Sequence, residues 1–242
     1  MPNNYFQFKQ FTVQQEHCAM KVTTDACLFG SIVAAIISTD QFQITNCLDI
    51  GAGTGLLSLM IAQKDRNVVI DAIEIDEQAA NQAAANFQAS PWKDRLHVHC
   101  TSIQQFNLSN NRLYDFIISN PPFFNNDLKS SDEKRNLALH SAELSLEELI
   151  MVIKNKLSKD GRFAVLMPHH RSEYFESLCK KEKMYVAEKI SIKQTPAHHF
   201  FRTVFLCSYK NHSAKNSALL IKNEFNDYTT GFKNYLQDYY LN

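Results

Sequence analysis

Asparagine, two prolines and a phenylalanine, Asn120-Pro121-Pro122-Phe123, stand directly after the apolar run Tyr114–Ser119. An amide oxygen and a backbone carbonyl held side by side are suited to accepting both N–H bonds of a planar amino group. Such a nitrogen is a poor nucleophile because its lone pair is delocalised into the ring that carries it, and two acceptors favour a pyramidal, nucleophilic form. The Asn120 side-chain oxygen and the Pro121 carbonyl are the acceptors. Pro121 and Pro122 fix the backbone, so the pair needs no ordering at each turnover. Phe123, or its neighbour Phe124, can stack on the face of an unpaired or flipped-out base. Asn-Pro also begins plain surface turns, so the tetrapeptide takes its meaning from what surrounds it.

Asp49-Ile50-Gly51-Ala52-Gly53-Thr54-Gly55 lies between an apolar strand-like run and an apolar helical one. Glycines there permit a tight turn and close backbone approach to a ligand, and a helix start offers free amides. The dinucleotide fingerprint needs its third glycine at position 56, where Leu56 stands. The spacing is GxGxG, and it resembles the cofactor loop of class I methyltransferases, whose backbone cradles the methionine and ribose of S-adenosylmethionine. Glu74 ends the next strand about 20 residues on, where an acid accepts both ribose hydroxyls. Asp76 is its near neighbour and a candidate helix cap. A third acid commonly follows the next strand in that family; Cys100-Thr101-Ser102-Ile103 offers Ser102 instead, an uncharged acceptor for the adenine amine of the cofactor. The cofactor-binding set is completed by Asp49, Ile75, Ile103 and Asn120. Methyl displacement from a cationic sulfonium needs alignment more than a strong base, so no general base is assigned.

These residues require a scaffold, and the pattern supplies one. Ile44–Ile50, Val68–Ile75, Leu96–Cys100 and Tyr114–Ser119 read as strands, with Leu56–Lys64 and Glu77–Gln88 as helices between the first three. Strands alternating with helices mean βαβ units and a mostly parallel, doubly wound α/β sheet. Before them, residues 5–13 alternate as a strand or hairpin, and Thr24-Asp25 can cap a helix through about Ile37. After them come a helix over Ser145–Leu157, a turn at Asp160-Gly161, a strand over Arg162–Met167 and a helix over 171–183. Tyr185–Ile192 and Thr203–Tyr209 then form two strands without a crossover helix, which predicts an antiparallel hairpin at one edge of the sheet. Tyr228–Tyr240 reads as a docking helix.

The chain has 242 residues, 45% hydrophobic and 21% charged, which fits one globular domain and excludes disordered or fibrous classes. Its longest apolar stretches fall short of the roughly 20 residues a membrane span needs, and its start lacks a secretory pattern, so a cytoplasmic location is expected. Six cysteines stand singly, without a CxxC pair, and read as buried thiols. The adjacent His198-His199 reads as solvated or phosphate-facing, and no residue is assigned to a metal. The net charge of zero conceals an asymmetry: residues 1–128 carry 7 Lys+Arg against 12 Asp+Glu, and residues 129–242 carry 18 against 13. The run Lys180, Lys181, Lys183, Lys189, Lys193, Arg202, Lys210, Lys215, Lys222 is the best candidate for attracting phosphates.

Nearly the whole chain resembles the bacterial tRNA(Val) adenine-N6-methyltransferase family. The likeness is carried by Lys9-Gln10-Phe11, Cys18-Ala19-Met20-Lys21-Val22 with Thr24-Asp25, Cys47–Gly53 with Gly55-Leu56-Leu57, Ser90-Pro91-Trp92 and Ile118–Pro122, and continues into Arg202–Ser208 and the aromatic tail. It implies a Rossmann-like methyltransferase that uses S-adenosylmethionine to methylate N6 of the adenine immediately 3′ of the anticodon. It also implies that Lys21, Thr24 and Asp25 belong to a segment covering the cofactor. Thr23 departs from the glycine usual before Thr24-Asp25, and Ser102 from the usual acid. The organisation implied is a single domain, with residues 1–40 an N-terminal extension, 41–210 the Rossmann-like core and 211–242 a docking segment. The partner is tRNA, held by the basic C-terminal half, with no membrane and no obligate protein partner. Two alternatives keep the fold: methylation of a release-factor glutamine, whose enzymes carry an N-terminal helical domain that some 40 residues leave little room for, and methylation of a ribosomal guanine amine. A noncatalytic RNA-binding module is the alternative from another class, and the intact Asn120 and Pro121 argue against it.

Overall fold

The structure, a computed structural model, describes residues 3–39, 44–121, 144–211 and 213–241. Its chain begins with a hairpin of β1 (Tyr5–Gln7) and β2 (Thr12–Gln14), followed by α1 (Thr24–Thr39). The core then runs β3 (Asn46–Ile50), α2 (Leu56–Lys64), β4 (Val69–Glu74), α3 (Glu77–Gln88), β5 (Leu96–Cys100), α4 (Ile103–Ser109) and β6 (Tyr114–Ser119). Beyond residue 143 come α5 (Leu146–Lys156), β7 (Leu157–Pro168), α6 (Ser172–Lys181), β8 (Tyr185–Lys193), β9 (Phe200–Ser208), β10 (Lys215–Leu220) and α7 (Thr230–Leu236).

Among the described residues, eight strands make one sheet in the order β10-β8-β9-β7-β6-β3-β4-β5. The pairings β3–β4, β3–β6, β4–β5, β6–β7 and β8–β10 are parallel, and only β9 runs against its neighbours β7 and β8. Helices cover both faces, as buried parallel strands require. One core packs α1, α2, Phe87 of α3 and the C-terminal aromatics on one side; the other packs α4, α5 and α6 on the opposite side. The expected mostly parallel, doubly wound sheet with an antiparallel pair is therefore present.

Several local expectations are corrected. The antiparallel pair is flanked by β10, an unforeseen strand whose sequence KNSALL is exposed over its first four residues and carries little apolar signal. Asp160-Gly161 is not a turn: it lies within β7, where the register against β6 shifts between Tyr114 and Phe116 and absorbs the extra residues. The polar stretch after β5 is a short helix, α4, whose N-cap is Ser102 and whose buried face is only Ile103 and Phe106. Helix α1 is preceded by Thr23, whose hydroxyl accepts from Ala26 N at 3.4 Å, so Thr23 rather than Thr24 or Asp25 takes the capping place. The docking helix is shorter than expected, Thr230–Leu236.

Five of the six cysteines are buried, Cys100 is exposed, and all are free thiols. No helix among the described residues is long and apolar enough to cross a membrane.

Candidate active site

The carboxyl ends of β3, β4, β5 and β6 converge where open α/β sheets bind ligands. Register does the positioning. Ile50 is paired with Ser119, and the Ser119 hydroxyl donates to the Ile50 carbonyl at 2.8 Å. Gly51 and Asn120, each one residue further, therefore leave the sheet side by side. Asn120 is half-buried and Pro121 is buried. Pro122 and Phe123, with Phe124, lie outside the described residues.

The glycine loop is held as an open cradle. Gly51, Gly53 and Gly55 have φ of +75°, +54° and +79°, a region that disfavours side chains. A Cβ on Gly51 or Gly53 would meet no atom within 4 Å, so the loop faces open space there; a Cβ on Gly55 would lie 2.5 Å from Phe87 Cε1, because that glycine packs against α3. The turn is anchored by Gly51 N and Ala52 N donating to Ile73 O at 2.9 and 3.0 Å.

Glu74 ends β4 beneath this cradle. Its Oε2 accepts from Gly53 N at 2.8 Å and its Oε1 from Asp76 N at 3.0 Å. Each oxygen keeps a lone pair for a further donor. Asp76 caps α3, its side chain accepting from Ala79 N at 2.8 Å. Both acids thus hold backbone amides, Glu74 those of Gly53 and Asp76, and Asp76 that of Ala79 at the start of α3. Ile75, which follows Glu74, is 56% exposed, an apolar side chain left beside the cradle. Ile103 is buried, and the Ser102 hydroxyl already accepts from Gln105 N at 3.2 Å. Beside that capping bond the Ser102 hydroxyl keeps a second lone pair and its hydrogen for a further partner.

Asp49 has no exposed surface; its Oδ2 accepts from Ser58 Oγ at 2.7 Å, and its Oδ1 is without a partner among the described residues. Burial pushes its carboxyl up to about 7, against the Ser58 hydrogen bonds that lower it and the Glu74 charge that raises it further. An orphaned carboxylate oxygen, two glycines opening on free space and an acid with spare lone pairs fit the amino, ribose and backbone-facing parts of S-adenosylmethionine.

The N-terminal segment packs on α3, where His17 N donates to Gln82 Oε1 at 3.5 Å. Burial first, and the charge of Glu74, push the Cys18 thiol up to about 11, opposed by Lys21. Lys21 donates to the carbonyls of Gln15 and Glu16, and Gln15 Oε1 accepts from Val22 N at 2.8 Å, so the segment is tied to itself. Thr24 is exposed at the start of α1. Asp25 forms an ion pair with Arg202 Nε at 2.7 Å across 177 residues, fastening α1 to β9. A link the sequence did not reveal is Asn86, buried on α3. Its Nδ2 donates to Gln14 O at 2.8 Å and to Thr54 O at 2.9 Å, while its Oδ1 accepts from Gln14 N at 2.9 Å. One amide thereby joins the hairpin to the glycine loop; within an Ala-rich helix it gave no signal.

The profile of the methyltransferase small domain family matches residues 31–187. A protein of Cytophaga hutchinsonii named tRNA1(Val) (adenine(37)-N6)-methyltransferase is 38% identical over 250 residues, covering all of both chains. Its namesake in Bacteroides fragilis is 38% identical over 242 residues, covering 100% of this chain and 99% of that one. Among solved structures, a predicted O-methyltransferase of Agrobacterium tumefaciens superposes with a TM-score of 0.67 at 14% identity, covering 88% of this chain and 96% of that one. A putative RNA methyltransferase of Pyrococcus horikoshii gives 0.56 at 15% identity, with 84% and 91% covered. These two share the fold. With a matched domain profile and relatives aligned from end to end, the chain belongs to the methyltransferase small domain family and, within it, to the tRNA1(Val) (adenine(37)-N6)-methyltransferase family.

Proposed function

We propose that this protein transfers a methyl group from S-adenosylmethionine to N6 of adenine 37, immediately 3′ of the anticodon, in tRNA(Val). The observation that carries the reading is the β3–β6 register, which sets Asn120 next to the glycine cradle in a chain aligned end to end with proteins so named. The cofactor, when bound, supplies a methyl on a cationic sulfonium. Everything else falls to the chain. Gly51, Gly53 and Gly55 shape the backbone cradle; Glu74 accepts from ribose hydroxyls; Asp49 offers its unpartnered oxygen toward a donor. Ile75 and Ile103 give apolar contact to the cofactor adenine, with Ser102 at its amine. Lys21, Thr24 and Asp25 hold the N-terminal segment over the cradle.

On the substrate side, the Asn120 side-chain oxygen and the Pro121 carbonyl accept from the adenine amine and favour its nucleophilic form. Pro122 restricts the backbone, and Phe123 stacks on the base. An anticodon loop presents unpaired bases, so bringing adenine to the site requires little unpairing. The tRNA is held by cations of the C-terminal half, in the cytoplasm where tRNA is modified.

Incubation with labelled S-adenosylmethionine and tRNA(Val), followed by nucleoside mass spectrometry, tests the proposal. N6-methyladenosine is expected at position 37, and Asn120→Ala should lower kcat by on the order of 10²–10³ while cofactor affinity stays within several-fold, since the lost acceptor matters mainly in the transition state. Label in a protein glutamine or a ribosomal guanine, or near-normal turnover by the variant, would refute it.

A further inference from the structure

The C-terminal cations divide between two ends of the sheet. Helix α6 leaves β7 at its carboxyl end and runs back, so Lys180, Lys181 and Lys183 lie at the amino end, away from Asn120. Lys154, in the last turn of α5, and Lys215, which opens β10, lie at that same amino end, and each is matched there to an acid, Glu182 at 2.8 Å and Glu188 at 3.3 Å respectively. Lys189, within β8, pairs with Glu176 at 2.5 Å.

The carboxyl end collects another set. Pro168 of β7 is paired with Arg202 of β9, Phe200 of β9 with Lys193 of β8, and Lys193 with Leu220 of β10, so all these positions lie on the Asn120 side. The turn His169-His170-Arg171 follows β7 at this end, and the exposed His198 and His199 lie between β8 and β9. Lys193 Nζ sits 4.5 Å from the Phe200 ring centre, and the His169 ring packs on Phe200 at 5.0 Å, with its Nδ1 2.8 Å from Thr203 Oγ1. The aromatic ring thus fixes the ammonium and the imidazole in place before any ligand arrives, which lowers the ordering cost of binding. Glu147, the carboxyl that feels Arg171, is bonded by the Tyr174 hydroxyl.

We infer that Arg171, Lys193, Phe200 and His169 form a ledge for the phosphates of RNA flanking the target nucleotide. The inference rests on the tRNA reading above and assigns its docking surface. Positive charge, aromatic support and position agree: β9 and β8 lie two and three strands from β6, roughly 10–15 Å at the usual strand spacing. That is within reach of nucleotides next to a base held at Asn120. Lys180 and Lys181 are at the wrong end to take part.

The test compares Arg171→Ala/Lys193→Ala with Lys180→Ala/Lys181→Ala, each checked for native melting and cofactor affinity, by tRNA(Val) binding across a salt series and by methylation kinetics. The ledge variant should raise KM for tRNA about tenfold, leave cofactor affinity unchanged and flatten the dependence of log affinity on log salt by about 1 to 2. The amino-end variant should match the wild type. A ledge variant with wild-type KM and salt slope, or a loss found only in the amino-end variant, overturns the ledge, even though wild-type methylation of tRNA(Val) would leave the proposed function standing. Wild-type protein that neither binds nor methylates this tRNA overturns both.

Discussion

Asp49 keeps a carboxyl out of water with one oxygen bonded to Ser58 and the other unmatched. Asp71, also buried, is held below its ordinary range by its partners. Burial alone would raise Asp71, but hydrogen bonds from His99 at 2.8 Å and Tyr114 at 2.8 Å and the charges of His99 and Arg112 outweigh it. For Asp49 burial wins, and the group rises to about 7. Between about pH 4 and pH 7 the folded protein holds this proton and the unfolded chain has lost it, so stability falls as pH rises through the window. Asp49→Asn removes the proton from the balance. Urea unfolding at pH 4 through 8 should show the wild type losing, relative to this variant, on the order of 4 kcal/mol across the window. A difference that stays constant with pH would mean that Asp49 is ionised throughout.

The glycine loop shows how an element divides its residues between packing and ligand. Gly55→Ala places a methyl against Phe87 in a left-handed backbone conformation, combining about 1–2 kcal/mol of backbone strain with about 1–3 of overpacking. Gly53→Ala has the strain without the clash, since open space faces it. Denaturant curves should therefore rank Gly55→Ala as the less stable variant, while calorimetry should show Gly53→Ala losing cofactor affinity beyond its small loss of stability. The reverse order would mean that the open side of the loop is not the ligand side. Elements with dense apolar signal were legible in the sequence: β3, β4, β6 and α2 are buried nearly throughout, and the glycine loop stands at the end of β3 as expected. Elements whose formation depends on neighbours were not. Helix α4 offers two buried side chains, and β10 is recruited by pairing with β8. Nor does a local pattern reveal which end of the sheet a lysine occupies, since that follows from strand direction.

At the scale of the whole molecule the two chain ends hold each other and, through each other, the site. Tyr239 is 1% exposed; its hydroxyl donates to Met60 O on α2 at 2.9 Å, and its carbonyl accepts from Lys9 N at 2.8 Å. Burial pushes that hydroxyl far above its ordinary range, so it remains a donor at any working pH. Beside it, Tyr240 packs on Phe6 at 5.7 Å, and Phe8 stacks on Phe11 at 4.5 Å, joining tail and hairpin in one aromatic cluster. The hairpin passes its position to the cradle through Asn86, which bonds both Gln14 and Thr54. Tyr239→Phe should therefore cost about 1 kcal/mol, the net value of one hydrogen bond. Tyr239→Ala should cost about 3–5 kcal/mol, as for other large aromatic truncations, both read from urea unfolding. The alanine variant should also bind S-adenosylmethionine more weakly at temperatures where it is fully folded, because the hairpin that steadies Thr54 has lost its support, whereas the phenylalanine variant should bind it normally. Destabilisation with unchanged cofactor affinity would confine the tail to holding the fold and break the proposed connection from Tyr239 through the hairpin and Asn86 to the glycine loop.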